Sequence, residues 1–65
     1  MRLMNKAERE ALKSVYDRGP IVVSNKKISY TAFRRMAYYS SLNGCFMVPW
    51  QGMILGIEKD GYTHS

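Results

Sequence analysis

From Met36 to Ile57 the chain runs for 22 residues without a charged side chain. In a short chain, such a run is either a membrane span or the buried part of a sheet. Arg34 and Arg35 precede it, as basic residues often flank a span. Its content argues the other way. Ser40, Ser41, Asn43, Gly44, Pro49, Gln51 and Gly52 lie inside it, whereas a span is predominantly apolar. The run therefore reads as an antiparallel hairpin. Cys45-Phe46-Met47-Val48 and Met53-Ile54-Leu55-Gly56-Ile57 are the strands, and Pro49-Trp50-Gln51-Gly52 is a four-residue loop. Proline suits the first turn position and glycine the left-handed one. Both strands are apolar at consecutive positions, so both faces ask for cover. Helices can cover one. The other is expected to meet a partner or a second copy, because a bare apolar face is an association surface.

The whole chain has 65 residues, which allows a single small domain. A chain of this size buries only about 60% of the surface its unfolded form exposes. A doubly wound sheet, a closed eight-stranded barrel or a two-domain enzyme does not fit. With 46% hydrophobic and 23% charged residues the chain is expected to fold. A disulfide framework needs paired cysteines and a thiolate zinc site is expected to need two or more, so the single cysteine excludes both within one chain. No metal or other cofactor is expected. Charges recur from Arg2 to Arg18, so no signal-peptide core is visible, and a cytoplasmic location is the expectation.

Asn5 followed by Glu8 has the spacing of a capping box. Ala7, Ala11, Leu12, Val15 and Tyr16 then recur every three or four residues, which predicts a helix over 6–18. Gly19-Pro20 should close it, with glycine taking the left-handed cap. Ile21-Val22-Val23 reads as a short strand, Ser24 to Lys27 as a turn, and Ile28-Ser29-Tyr30 as a returning strand. Ser29 or Thr31 caps a second helix, expected over 31–42 and ending at Asn43-Gly44. Its apolar face carries Phe33, Met36, Ala37 and Ser40. Its other face carries Thr31, Arg34, Arg35, Tyr38, Tyr39 and Leu42, with Tyr39 nearest the buried edge. Residues 58–65 are polar and expected to fray. The fold class is α+β: two helices packed on a small antiparallel sheet, in the order α-β-(β)-α-β-β.

The net charge of +5 is unevenly distributed. Residues 1–17 carry four bases and three acids, and residues 58–65 one base and two acids. From Arg18 to Ile57 there are five bases (Arg18, Lys26, Lys27, Arg34, Arg35) and no acid. A one-signed stretch of this kind attracts polyanions; the plainer alternative is a solvated surface. Arg34 with Tyr38, and Arg35 with Tyr39, are expected as i,i+4 pairs on one helical arc. Guanidinium groups hold phosphates or read guanine, and tyrosines stack on bases. Lys26 and Lys27, on the turn, would anchor phosphates. Trp50, expected at the hairpin tip, either folds onto the core or meets a partner.

No constellation points to catalysis. His64 stands beside the last residue, Cys45 has no histidine near it in sequence, and the five acids form no paired arrangement. No glycine pattern matches a phosphate loop or a dinucleotide fingerprint.

The order helix, short strand, helix, hairpin resembles a winged-helix DNA-binding domain. That resemblance would place 31–42 where a recognition helix lies and Pro49-Trp50-Gln51-Gly52 at the wing tip. It departs from the family in having room for only one helix between the first strand and the hairpin. The small basic chain also looks like the accessory proteins encoded by bacteriophages. The expectation is a non-enzymatic nucleic-acid-binding module, DNA foremost, such as a small transcriptional regulator. Arg34, Arg35 and Tyr38 would make contact, with Lys26 and Lys27 as anchors. The alternative is an adaptor or inhibitor of an acidic host protein. It would dock through the hairpin with Trp50, Met53 and Leu55, and a homodimer is the related possibility.

Overall fold

The first helix begins where its capping box places it. In the computed structural model, which describes residues 2–19 and 22–64, α1 spans Lys6–Asp17. The Asn5 side chain accepts the Glu8 N–H at 2.8 Å, and the Glu8 carboxylate accepts the Asn5 N–H at 2.8 Å. Ala11, Leu12 and Val15 are buried along its stripe. The helix ends without a left-handed glycine. Arg18 is the cap residue in right-handed conformation, and its N–H reaches the carbonyls of Ser14 and Val15. Pro20, expected to stop the helix, and Ile21, expected to open the next strand, lie outside the described residues.

Strands β1 (Val22–Val23) and β2 (Lys26–Lys27) form a two-stranded antiparallel ribbon. Its turn is only Ser24–Asn25, with φ of 52° and 65°, the positive-φ pair that matches strand twist. Lys26 and Lys27 thus belong to the returning strand and not to the turn. Ile28 is held by the Tyr16 hydroxyl, which donates to its carbonyl at 2.7 Å. Ser29 caps the second helix by accepting the Ala32 N–H at 3.2 Å.

That helix, α2 (Tyr30–Met36), has seven residues and stops well before Leu42. Ala37 is already extended, and β3 (Tyr38–Ser40) follows. Continuing the helix would forfeit a ladder. Tyr38 faces Met47, Tyr39 faces Phe46 and Ser40 faces Cys45 in antiparallel register. The Tyr39 and Phe46 rings meet edge-on at 5.3 Å. Aromatic residues favour such a pleated, half-buried surface. The recognition-helix placement implied by the winged-helix resemblance is overturned here, because its second half is a strand.

Strands β4 (Cys45–Trp50) and β5 (Met53–Ile57) form the expected hairpin, but the loop is two residues. Gln51 and Gly52 make it, with φ of 49° and 76°. Pro49 sits in the strand opposite Ile54. In a two-residue hairpin the closing pair, Trp50 and Met53, is the hydrogen-bonded one. Proline one step back therefore turns its nitrogen away from β5. Pairing with β3 has already ended at Met47, so no ladder bond is lost there.

The polar end folds back instead of fraying. Strand β6 (Thr63–His64) pairs with Ile57 and Gly56, which completes a four-stranded sheet in the order β3-β4-β5-β6. The Asn5 side-chain amide donates to the Lys59 carbonyl at 2.8 Å, tying this segment to the start of α1. One sheet face carries Tyr39, Phe46, Val48, Leu55 and Ile57, packed against Leu12 and Val15 of α1 and Phe33 of α2. By alternation the other face carries Tyr38, Cys45, Met47, Pro49, Ile54, Gly56 and His64, and neither helix lies on it. No helix among the described residues is long and apolar enough to cross a membrane.

Candidate nucleic-acid interface

Among the described residues, the bases of the acid-free stretch enter no ion pair. The ion pairs among the described residues are Arg2–Glu8 and Lys13–Asp17, and the His64 imidazole contacts the Glu58 carboxylate. Lys26, Lys27, Arg34 and Arg35 are exposed and enter none of them. Arg34 and Arg35 lie in the last turn of α2, where they complement the helix's negative end. They also line a cleft of about 430 Å³. Ala37, Phe46 and Met4 give the cleft apolar walls, and Thr31 and Arg2 add polar edges. Among the described residues, no carboxylate lines it.

Arg2 is the residue that sequence reasoning missed. Its guanidinium lies 5.0 Å from the Tyr39 ring centre and 5.3 Å from that of Phe46. It also donates to both Glu8 oxygens, at 3.2 and 3.0 Å. The capping-box spacing identified Glu8, but nothing local pointed to a partner six residues earlier.

The other candidates are separated. Tyr38 cannot pair with Arg34 as helical neighbours do, because it lies on β3, half-exposed on the outer sheet face. Tyr39 is half-buried at the core as expected, but by facing Phe46 across β3 and β4 and not from a helical arc. Trp50 is not at a loop tip. It sits in β4, half-buried against the core, with its indole Nε1 buried and without a hydrogen-bond partner among the described residues. Leu55 is 6% exposed and belongs to the core, so it cannot line a docking surface of the folded chain. Met53, opposite Trp50, remains exposed.

A second cluster unites residues that seemed isolated in sequence. His64 Nε2 lies 2.8 Å from a Glu58 oxygen. Ligand atoms of Cys45, Glu58 and His64 all lie within 4.8 Å of one another. Burial pushes the Cys45 thiol above its ordinary pKa, and the nearby carboxylates of Glu58 and Glu8 add to the effect.

Comparison with protein-family models, curated proteins and solved structures gives no match for this chain.

Proposed function

We propose that this chain is a small, non-enzymatic, cytoplasmic module that binds nucleic acid through its unpaired bases. The observation that carries this reading is the pairing of Arg34 and Arg35 with an acid-free, apolar-walled cleft, inside a stretch of five bases and no acid. Two adjacent guanidinium groups suit phosphate oxygens. An apolar wall beside them suits the face of a base. A seven-residue helix is about 10 Å long, too short to read a major groove with several side chains. The favoured ligand is therefore a flexible single strand, one of whose bases enters the cleft while its phosphates meet the arginines. Lys26 and Lys27 add sequence-independent attraction.

A second reading rests on the outer sheet face. Tyr38 and Ile54 are each about 50% exposed there, beside Met47 and Pro49. That face suits a protein partner or a second copy. The two readings separate on the double variant Arg34→Glu with Arg35→Glu. Both side chains are exposed, so circular dichroism should be unchanged. Fluorescence anisotropy with a labelled single-stranded oligonucleotide should show binding by the parent chain and none by the variant. Equal binding by the two chains contradicts the nucleic-acid reading.

A further inference from the structure

The outer sheet face holds three different metal-ligating side chains from three segments. Cys45 opens β4, Glu58 follows β5, and His64 lies on β6. The sheet register brings them together: Gly56 faces His64 on one side and Met47 on the other, and Cys45 is one row away. We propose that Cys45, Glu58 and His64 form a binding site for a single divalent transition-metal ion, with zinc the best match to the donor set.

The first argument is distance. A tetrahedral zinc holds sulfur at about 2.3 Å and nitrogen or oxygen at about 2.0–2.2 Å, which places its ligand atoms about 3.3–3.6 Å apart. The three atoms here already lie within 4.8 Å of one another, and the 2.8 Å contact of His64 Nε2 with Glu58 would open by about 0.5 Å to admit the ion. His64 and Glu58 are about half exposed, so they have freedom to make the adjustment.

The second argument is room. A Cβ on Gly56 would lie 2.6 Å from His64 Nε2 and 3.2 Å from Cys45 Sγ. Any other residue there would displace the imidazole from the thiol. The glycine is thus the floor of the cluster.

The third argument is charge. Coordination releases the Cys45 thiol proton to solvent, while His64 binds as neutral imidazole and Glu58 as carboxylate. Thiolate and carboxylate together balance a dication, so the loaded site is neutral. Sulfur, nitrogen and oxygen donors with a fourth position open to solvent are the pattern of an open zinc site. The cluster suits an ion better than nucleophilic chemistry, because the Cys45 residue is only 1% exposed and a substrate has no approach to it. Met47 Sδ stands 3.6 Å from Cys45 Sγ. A thioether is a poor zinc ligand but a good copper(I) ligand, so it provides the contrast.

The test is a cobalt(II) titration of the full, reduced, metal-free chain, followed by competition with zinc. The expected result is a thiolate-to-cobalt charge-transfer band that zinc abolishes. Cys45→Ser should lose the band. His64→Ala, a change at an exposed position, should keep the circular dichroism of the parent and bind about tenfold more weakly or worse. Met47→Leu should leave the affinity unchanged. A folded parent chain that shows neither a cobalt band nor a zinc-dependent rise in melting temperature overturns the proposal. So does His64→Ala binding with parental affinity. Copper(I) binding that needs Met47 but tolerates Glu58→Gln overturns the zinc assignment.

Discussion

Arg2 and Glu8 form an ion pair at 3.0 Å in which the carboxylate is fully buried and the guanidinium only partly so. Glu8 also accepts the Asn5 N–H, so one carboxylate both starts α1 and anchors the preceding segment over Tyr39 and Phe46. Removing the guanidinium takes from the buried charge its cation and both hydrogen bonds that the cation donates. Arg2→Ala should therefore cost about 1.5–3 kcal/mol, read as a shift in the urea midpoint. Lys at this position should rescue only part of it, since it cannot stack over the two rings as a planar group. A midpoint unchanged in Arg2→Ala contradicts the role given to this pair.

Gly61 fixes the return of the C-terminal segment. Its φ is 91°, and a Cβ there would lie 3.1 Å from the Ala7 carbonyl oxygen. Gly61→Ala should cost about 1–2 kcal/mol through the left-handed strain alone. The loss should be local as well as global. Amide exchange at His64 and at its partner Gly56 should accelerate more than at Val48 in the centre of the sheet.

How much of this was legible in sequence follows from where the information lies. Helix α1 was legible because Asn5, Glu8 and the stripe through Val15 are local signals. The hairpin was legible because Gly52 and two apolar runs surround one turn. Its loop came out two residues shorter than expected, since Pro49 and Trp50 fit the strand when β3 leaves the proline's side unpaired. The second helix was overextended because Ala37 to Leu42 suits either a helix or a strand by spacing. Pairing of Tyr38 and Tyr39 with β4 decides it, and that is a tertiary fact. The same holds at β6. Two residues cannot announce a strand, so His64 looked detached from Cys45 although the sheet places them together. In the candidate interface, Arg34 and Arg35 kept their exposure. Tyr38 depends on a helix that ends at Met36, Trp50 on a loop that is two residues shorter, and Leu55 on a strand whose apolar run does not reveal which face is buried.

Cys45 should be a slow thiol in the metal-free chain, since burial and the carboxylates hold its pKa up. Reaction with a thiol reagent at neutral pH should be much slower in the folded chain than in urea. The sign for stability follows. Below about pH 8.5 the thiol is neutral in both states and costs nothing. Above that the unfolded chain ionises first, so stability falls as pH rises toward the folded value. Between about pH 7 and about pH 10, the urea midpoint of Cys45→Ala should fall less steeply than that of the parent.

Tyr38 offers a check on the interface that does not involve charge. It lies on the outer sheet face and does not line the Arg34–Arg35 cleft. Tyr38→Ala should leave oligonucleotide affinity unchanged. Phe46, which lines the cleft but is buried in the core, is a poor probe by comparison because its removal would cost stability.

The dependence of oligonucleotide affinity on salt tests the central claim most directly. Each phosphate neutralised on a single strand contributes about −0.7 to the slope of log K against log salt. Contacts from Arg34 and Arg35, with Lys26 and Lys27 contributing, predict a slope of about −1.4 to −2.8. Arg34→Ala with Arg35→Ala should flatten it by about 1.4. Binding whose affinity does not change with salt, or a slope unaltered by the double variant, would contradict the assignment of these arginines to a nucleic-acid backbone.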